Sequence, residues 1–297
     1  MKNIKVDVLG LVSVVLWTAD WFLLRQGIID GKSPIFWLWA VLASITAISF
    51  LTFFYLTNKS RRTALVVEIL TIAGYVLVMP KDPAVILGGG LFLILMFLFE
   101  WRIRSEEKNS VDFSMRRVIS NSVSVMIYAI LLLIGCIVYY NTQADFLANP
   151  DAYYQRLGQA AAKTVPYFTK DLPAGVDFNQ TLDQFLSNQA KTTNPSVIRQ
   201  YRADFFKQFQ IKAVSGNQSL ADVFAQIATD KLRQASLNYE GYFPFVFAII
   251  VTGLLLTFAF LLNWTTQLIC WVLFRILLAV KFFKLAKIQV EVERLTV

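Results

Sequence analysis

The sequence predicts an all-α integral membrane protein with six transmembrane helices, an extracytoplasmic helical module and a cytoplasmic C-terminal interfacial helix. Three observations carry that expectation. Hydrophobic residues make up 56% of the 297 positions and charged residues only 16%, which is too apolar for a water-soluble chain. Uncharged runs of spanning length recur, as in 34–56 and 120–140. One polar stretch, 141–241, interrupts the pattern with ten basic and nine acidic residues.

Taken in order, 1–101 reads as a four-span unit with crossings at 8–24, 34–56, 64–79 and 84–101. The third is the shortest at 16 residues, about 24 Å of helix, a little under the hydrocarbon thickness. The first is too long for the apolar core of a signal peptide, and no small-x-small site follows Leu24. A basic cytoplasmic loop, 102–117, leads to the fifth span at 118–140. Segment 141–241 is expected as the extracytoplasmic α-helical domain, 242–263 as the sixth span, and 264–297 as a cytoplasmic interfacial helix and tail.

Orientation follows from lysine and arginine in the short loops. One side would carry Lys2, Lys5, Lys59, Arg61, Arg62, Arg102, Arg104, Lys108, Arg116 and Arg117; the other holds only Arg25, Lys32 and Lys81. The N-terminus is therefore expected in the cytoplasm. Six spans return the C-terminus to the same side, with Arg275, Lys281, Lys284 and Lys287. The net charge of +8 is then largely a topology signal, and nucleic-acid binding is not expected. Trp17, Trp21, Trp37 and Trp39 are expected toward the outer interface with Tyr139, Tyr140 and Tyr242, and Trp101 and Trp264 at the inner one.

The polar segment carries helix punctuation. Asn149-Pro150 and Asn194-Pro195 each read as an N-cap followed by proline at the first helical position. Asp177 with Gln180 reads as a capping box, and Ser219 with Asp222 as a fourth start. Apolar stripes follow at helical spacing: Phe178, Leu182, Phe185 and Leu186; Val197, Ile198, Tyr201, Phe205 and Phe209; Leu220, Val223, Phe224 and Ile227. Pro166, Pro173 and Gly175 mark an irregular connection between them.

Past the module, 33 residues from 242 to 274 carry no charge, about 50 Å if helical throughout. The polar patch Asn263, Thr265, Thr266 and Gln267 is the expected exit from the bilayer, with 268–283 lying at the cytoplasmic interface; a seventh span is the alternative. The last residues alternate Ile288, Val290 and Val292 with Gln289, Glu291 and Glu293, a strand-like pattern.

Histidine is absent, which removes an imidazole base and the commonest transition-metal ligand. Cys136 and Cys270 lie in apolar runs far apart and read as packing residues. The sequence contains no phosphate loop, dinucleotide fingerprint, zinc-protease motif or serine elbow. No catalytic residue, metal site or cofactor is expected. Asn179-Gln-Thr181 and Asn217-Gln-Ser219 match the glycosylation pattern, which matters only in a eukaryotic secretory route.

The candidate sites are polar groups inside spans. An ionisable side chain at the centre of a spanning helix costs roughly 2.5–3.5 kcal/mol on insertion scales. Asp20 either reaches Arg25 and the interface or carries a proton or cation. Glu68 has the same two readings, with Lys59, Arg61 or Arg62 as structural partners. Glu100 is placed at the boundary beside Trp101 and Arg102. Asp20 and Glu68 fall near opposite faces, which argues against a paired-carboxylate site. Gly88, Gly89 and Gly90 either allow close helix packing or break the fourth span. Asn121, Ser124 and Tyr128 form a polar stripe that either bonds a neighbouring helix or lines a path.

The layout of 118–297 is a span, an outer helical insertion, a span and a short oily basic tail ending in alternating Val and Glu from Gln289 to Leu295. It loosely resembles uncharacterised polytopic inner-membrane proteins of small-genome bacteria. That resemblance is one of architecture and implies a bacterial inner membrane; it brings no activity and no site residue. Two function classes follow from the sequence. One is a non-enzymatic envelope scaffold or complex subunit, in contact with lipid and with other membrane proteins or itself through 141–241. The other is a transporter or channel using the intramembrane carboxylates.

Overall fold

The computed structural model describes residues 4–33, 35–109, 115–168, 178–209 and 215–283. Among the described residues the chain forms eleven α-helices and no strand. In order these are α1 (Ile4–Leu24), α2 (Ile35–Thr57), α3 (Arg61–Val78), α4 (Pro83–Asn109), α5 (Met115–Ala148), α6 (Pro150–Phe168), α7 (Leu182–Ala190), α8 (Pro195–Phe209), α9 (Leu220–Ser236), α10 (Phe243–Thr257) and α11 (Ala259–Ala279). They divide into two compact units, residues 1–142 with 245–297 and residues 143–244.

In the first unit five segments are long and apolar enough to cross a membrane: Ile4–Ile29, Ile35–Thr57, Pro83–Glu107, Met115–Ala148 and Ala259–Ala279. The expected third span lies within α3, which is outside that set because Arg61, Arg62 and Glu68 fall among its 18 residues. Even so, α3 measures about 27 Å and is held to its neighbours at both ends. Near its start Val67 packs with Phe54 around Gly10, and near its end the Tyr75 hydroxyl donates to Val85 O at 2.7 Å and Val78 O accepts from Arg25 at 2.7 Å.

These contacts fix the direction of every helix in the unit. One end of the bundle gathers Lys5, which donates to Lys281 O and Phe282 O, the Lys59–Glu107 ion pair, and Arg102, which donates to Asn121 O at 3.0 Å. The opposite end gathers the Arg25–Val78 and Tyr75–Val85 bonds, Asn141 donating to Ile28 O at 3.2 Å, and Tyr139 edge-on to Phe245. So α1, α3 and α5 run one way, and α2, α4 and the α10–α11 pair run the other.

The long uncharged run is broken, but not where the sequence points. The break falls at Phe258, whose N–H bonds Leu255 O three residues back, and α11 continues straight through Asn263–Gln267. Thr265 and Thr266 donate to Leu261 O and Leu262 O at 2.8 and 2.7 Å, so these hydroxyls are satisfied inside the helix and need no exit from the bilayer. Most of segment 268–283, expected as an interfacial helix, is therefore the second half of a helix of crossing length. The alternating tail from Gln289, with Lys284 and Lys287, lies outside the described residues, as do Lys2, Pro34, Pro173 and Gly175.

The second unit is built from caps. The Asn149 side chain accepts from Ala152 N, Asn194 from Ser196 N, and Ser219 from Asp222 N, as the sequence predicts. The second helix start differs. Thr181 caps α7 and exchanges bonds with Gln184 in a capping box, four residues beyond the expected Asp177, which lies outside the described residues. Thr181 and Ser219 form an antiparallel bridge, with Leu182 N donating to Gln218 O and Leu220 N to Gln180 O. Two similar stretches, Asn179-Gln-Thr-Leu182 and Asn217-Gln-Ser-Leu220, thus stitch two helix starts together. Behind them Leu182, Leu186, Phe206, Leu220, Val223 and Ile227 form a closed core. Phe206 enters it instead of Tyr201, which is exposed. A second small core joins Phe146, Tyr153 and Tyr154, with Phe243 stacked on Phe146.

Candidate functional site

The sequence-selected carboxylates occupy two separate places in the first unit. Asp20, on the last turn and a half of α1, has no exposed surface. Ser44 of α2 donates to its Oδ2 at 2.8 Å, while Oδ1 has no hydrogen-bond partner among the described residues. The expected link to Arg25 does not form. Arg25 turns instead to Val78 O and, at 3.9 Å, to Asp30. The helix explains this, because Asp20 shares a face with Ser13 and Trp17, both buried, and that face points into the bundle.

Glu68, on the second turn of α3, is also fully buried. The Tyr55 hydroxyl, near the end of α2, donates to Glu68 Oε1 at 2.7 Å; Oε2 is unpartnered among the described residues. None of Lys59, Arg61 or Arg62 pairs with it directly; Lys59 takes Glu107. Glu100 is buried, and its partner is Arg104 one turn along α4 at 2.7 Å, not its neighbours Trp101 and Arg102. Glu100 and Arg104 act electrostatically on both Glu68 and Tyr55, so these four residues form one charged cluster where α2, α3 and α4 meet. The Nη2 of Arg104 is buried without a partner among the described residues, giving the cluster a spare donor as well as a spare acceptor.

The partners of Asp20 and Glu68 on α2, Ser44 and Tyr55, are eleven positions apart, roughly 16 Å along the helix. Aromatic rings of α1, α3 and α4 cluster at the turns of α1 that carry Asp20. Trp17 stacks on Trp21 at 5.1 Å, Phe92 meets both edge-on at 5.1 and 5.0 Å, and Tyr75 meets Trp21 edge-on at 5.4 Å. Trp17 and Trp21, expected at the outer interface, are instead at the bundle centre with no exposure. Trp21 Nε1 donates to Thr71 O at 3.4 Å, whereas Trp17 Nε1 joins Ser13 Oγ as a buried polar atom without a partner among the described residues.

The remaining candidates are placed as follows. The fourth span is unbroken through Gly88, Gly89 and Gly90. A Cβ on Gly88 would lie 2.9 Å from Cys136 Cβ, one on Gly89 2.5 Å from the Tyr75 ring, and one on Gly90 would meet nothing within 4 Å. Two of the three glycines thus admit neighbours, and Cys136 and the buried Cys270 serve as packing groups. Asn121 bonds α4, donating to Glu106 Oε1 at 2.8 Å. Ser124 is half-buried, and Tyr128, at 48% exposure, faces outward from α5. The stripe therefore lies on the outer side of α5, opposite the buried Val123, Met126 and Ile130.

Sequence reasoning missed Ser44, Tyr55, Arg104, Ser13 and the ring cluster. Hydroxyl partners on a neighbouring helix emerge only once the helices are paired, and no single-residue property marks them beforehand. The second unit adds a polar groove of about 620 Å³ beside α6 and α9, lined by Asp151, Gln155, Gln159, Gln226, Asp230 and Arg233 among others. Arg233 pairs there with Asp151 at 3.3 Å. The chain matches no family model, no curated protein and no solved structure in comparisons with each.

Proposed function

We propose that the chain is a non-enzymatic subunit or scaffold of a membrane complex. In this reading the first unit is the anchor, both termini are cytoplasmic, and the helical segment 141–241 binds other proteins on the far side of the membrane. The observation that carries the reading is the contrast between the two polar regions. The bundle's buried carboxylates take partners on α2 that are roughly 16 Å apart along the helix, so they do not come together as one site. The second unit, with a core of its own, offers an accessible polar groove. Six crossings are proposed, with α3 as the third and α10–α11 together as the sixth. The gathering of Lys5, Lys59, Arg102 and Lys281 at one end supports a cytoplasmic assignment for that end.

The test is site-specific photocrosslinking in intact cells. Probes at Gln159 and Gln226, in the groove, should capture discrete protein partners that a probe at Arg199, on exposed α8, does not. Equal or absent capture from all three positions would remove the proposal.

A second reading, transport, is favoured by one observation: Asp20 Oδ1 and Glu68 Oε2 are each buried with no partner among the described residues. Such groups are functional candidates by default in a membrane. It predicts that Asp20→Asn or Glu68→Gln abolishes a flux in proteoliposomes without loss of folding.

A further inference from the structure

The α11 helix is less covered than any other long apolar segment of the first unit, with 11% of its apolar window buried against 67% for α5. Where these two helices face one another they leave a cavity of about 340 Å³, lined by Arg116 and Ile119 from α5 and by Trp264, Gln267, Leu268 and Trp271 from α11. The α11 residues fall at i, i+3, i+4 and i+7, so they share one face. Four residues beyond Trp271, on the same side, the Arg275 guanidinium stacks over the Trp271 ring at 5.1 Å.

The charge of this slot is one-sided. Neither Arg116 nor Arg275 makes an ion pair with a carboxylate among the described residues. No acidic residue occurs between Ala259 and Ala279, and none between Met115 and Asp145, which is some 45 Å along α5 from Arg116. Two guanidinium groups therefore border an apolar-walled slot, and neither has a carboxylate within ion-pair distance among the described residues. Trp264 and Trp271 are both substantially exposed, at 61% and 42%. Their rings suit the headgroup level of a bilayer, where an amphipathic ring keeps its N–H wet and its face in contact with acyl chains. Leu268 and Val272, also exposed, continue the apolar wall.

We propose that this slot is a binding site for an anionic phospholipid. Its phosphate is held by Arg116 and Arg275, its glycerol region lies against Trp271, and an acyl chain runs past Leu268 and Trp264 toward Leu261. Charge complementarity selects the occupant: a zwitterionic lipid brings its own cation to a place already doubly positive, whereas an anionic headgroup supplies the missing charge. A bidentate guanidinium contact then fixes the phosphate. This inference rests on the chain spanning a membrane but not on the choice between scaffold and transporter.

The test uses the full chain in detergent. Native mass spectrometry follows retention of phosphatidylglycerol and of phosphatidylcholine with the same acyl chains. Wild type should retain one phosphatidylglycerol in preference to phosphatidylcholine. The exposed-residue double variant Arg116→Gln, Arg275→Gln should weaken that retention about tenfold or more. Arg102→Gln, which alters a separate notch at the same end that also holds Glu106, should leave it unchanged. Inorganic phosphate in excess should not displace the lipid. Equal retention of the two lipids, unchanged retention in the double variant, the same loss in Arg102→Gln, or displacement by free phosphate would each overturn the site.

Discussion

Ser44 Oγ donates to Asp20 Oδ2 at 2.8 Å, while Asp20 Oδ1 has no hydrogen-bond partner among the described residues. The bond joins α1 to α2 through two buried side chains. Removing the donor should therefore cost more than a surface hydroxyl would. Ser44→Ala is expected to destabilise the protein by about 1–3 kcal/mol. The penalty should shrink in an Asp20→Leu background, which leaves the serine hydroxyl no acceptor on α1. Thermal unfolding in detergent across the four-variant cycle measures the coupling; simple additivity would show that the bond carries no stability.

The cluster at the other end makes a parallel prediction. Tyr55→Phe leaves Glu68 without its hydroxyl donor, whereas Glu68→Gln keeps an oxygen for Tyr55 to donate to. The first change should therefore be the more destabilising, by about 1–3 kcal/mol relative to wild type. Unfolding of both variants by SDS titration distinguishes them, and the reverse order would mean that Tyr55 is not what holds Glu68.

Gly89 and Gly90 are neighbours with opposite expected responses. A Cβ on Gly89 would press on the Tyr75 ring, which cannot retreat without losing its bond to Val85 O. Gly89→Ala should cost about 1–3 kcal/mol through overpacking. Gly90 has open space, so Gly90→Ala should be neutral or slightly stabilising. Thermal unfolding of the two single variants checks this. Equal behaviour would contradict the packing seen between α3 and α4.

In the second unit, α6 and α9 approach each other closely at Gly158. A Cβ there would lie 2.0 Å from Thr229 Oγ1 and 2.5 Å from Ala225 O, and the second of these is backbone that cannot rotate aside. Gly158→Ala should part the two helices and raise amide exchange along α6 and α9 by about tenfold or more, while α7 and α8 keep their protection. Hydrogen exchange by mass spectrometry reads the four helices separately. Unchanged exchange in α6 and α9 would show that the helices do not approach as described.

Much of this architecture was legible from hydrophobic runs and caps. The apolar segments, the helical character of the polar stretch and three of its four helix starts follow from local chemistry that acts within one turn. Thr181 with Gln184 makes a capping box as legible in the sequence as Asp177 with Gln180, and local chemistry alone does not choose between them. What the sequence hid was pairwise. Asp20 and Ser44 lie on different helices, and no periodicity shows that a serine 24 positions away will face a carboxylate. Trp17 and Trp21 looked like interface anchors because tryptophan is enriched there; their spacing of four, with Phe92 and Tyr75 opposite, makes them a core. Thr265 and Thr266 looked like an exit because hydroxyls are polar, yet each bonds the carbonyl one turn back and the helix passes on.

The proposed arrangement turns on the side of the membrane that segment 141–241 occupies, and single-cysteine accessibility decides it most directly. With Cys136 and Cys270 replaced by alanine, a cysteine at Lys191 should react in intact cells with a membrane-impermeant maleimide. One at Lys59 should react only after permeabilisation. If Lys59→Cys labels in intact cells, or both positions label under the same condition, the chain ends and the helical segment do not lie on opposite sides and the account fails.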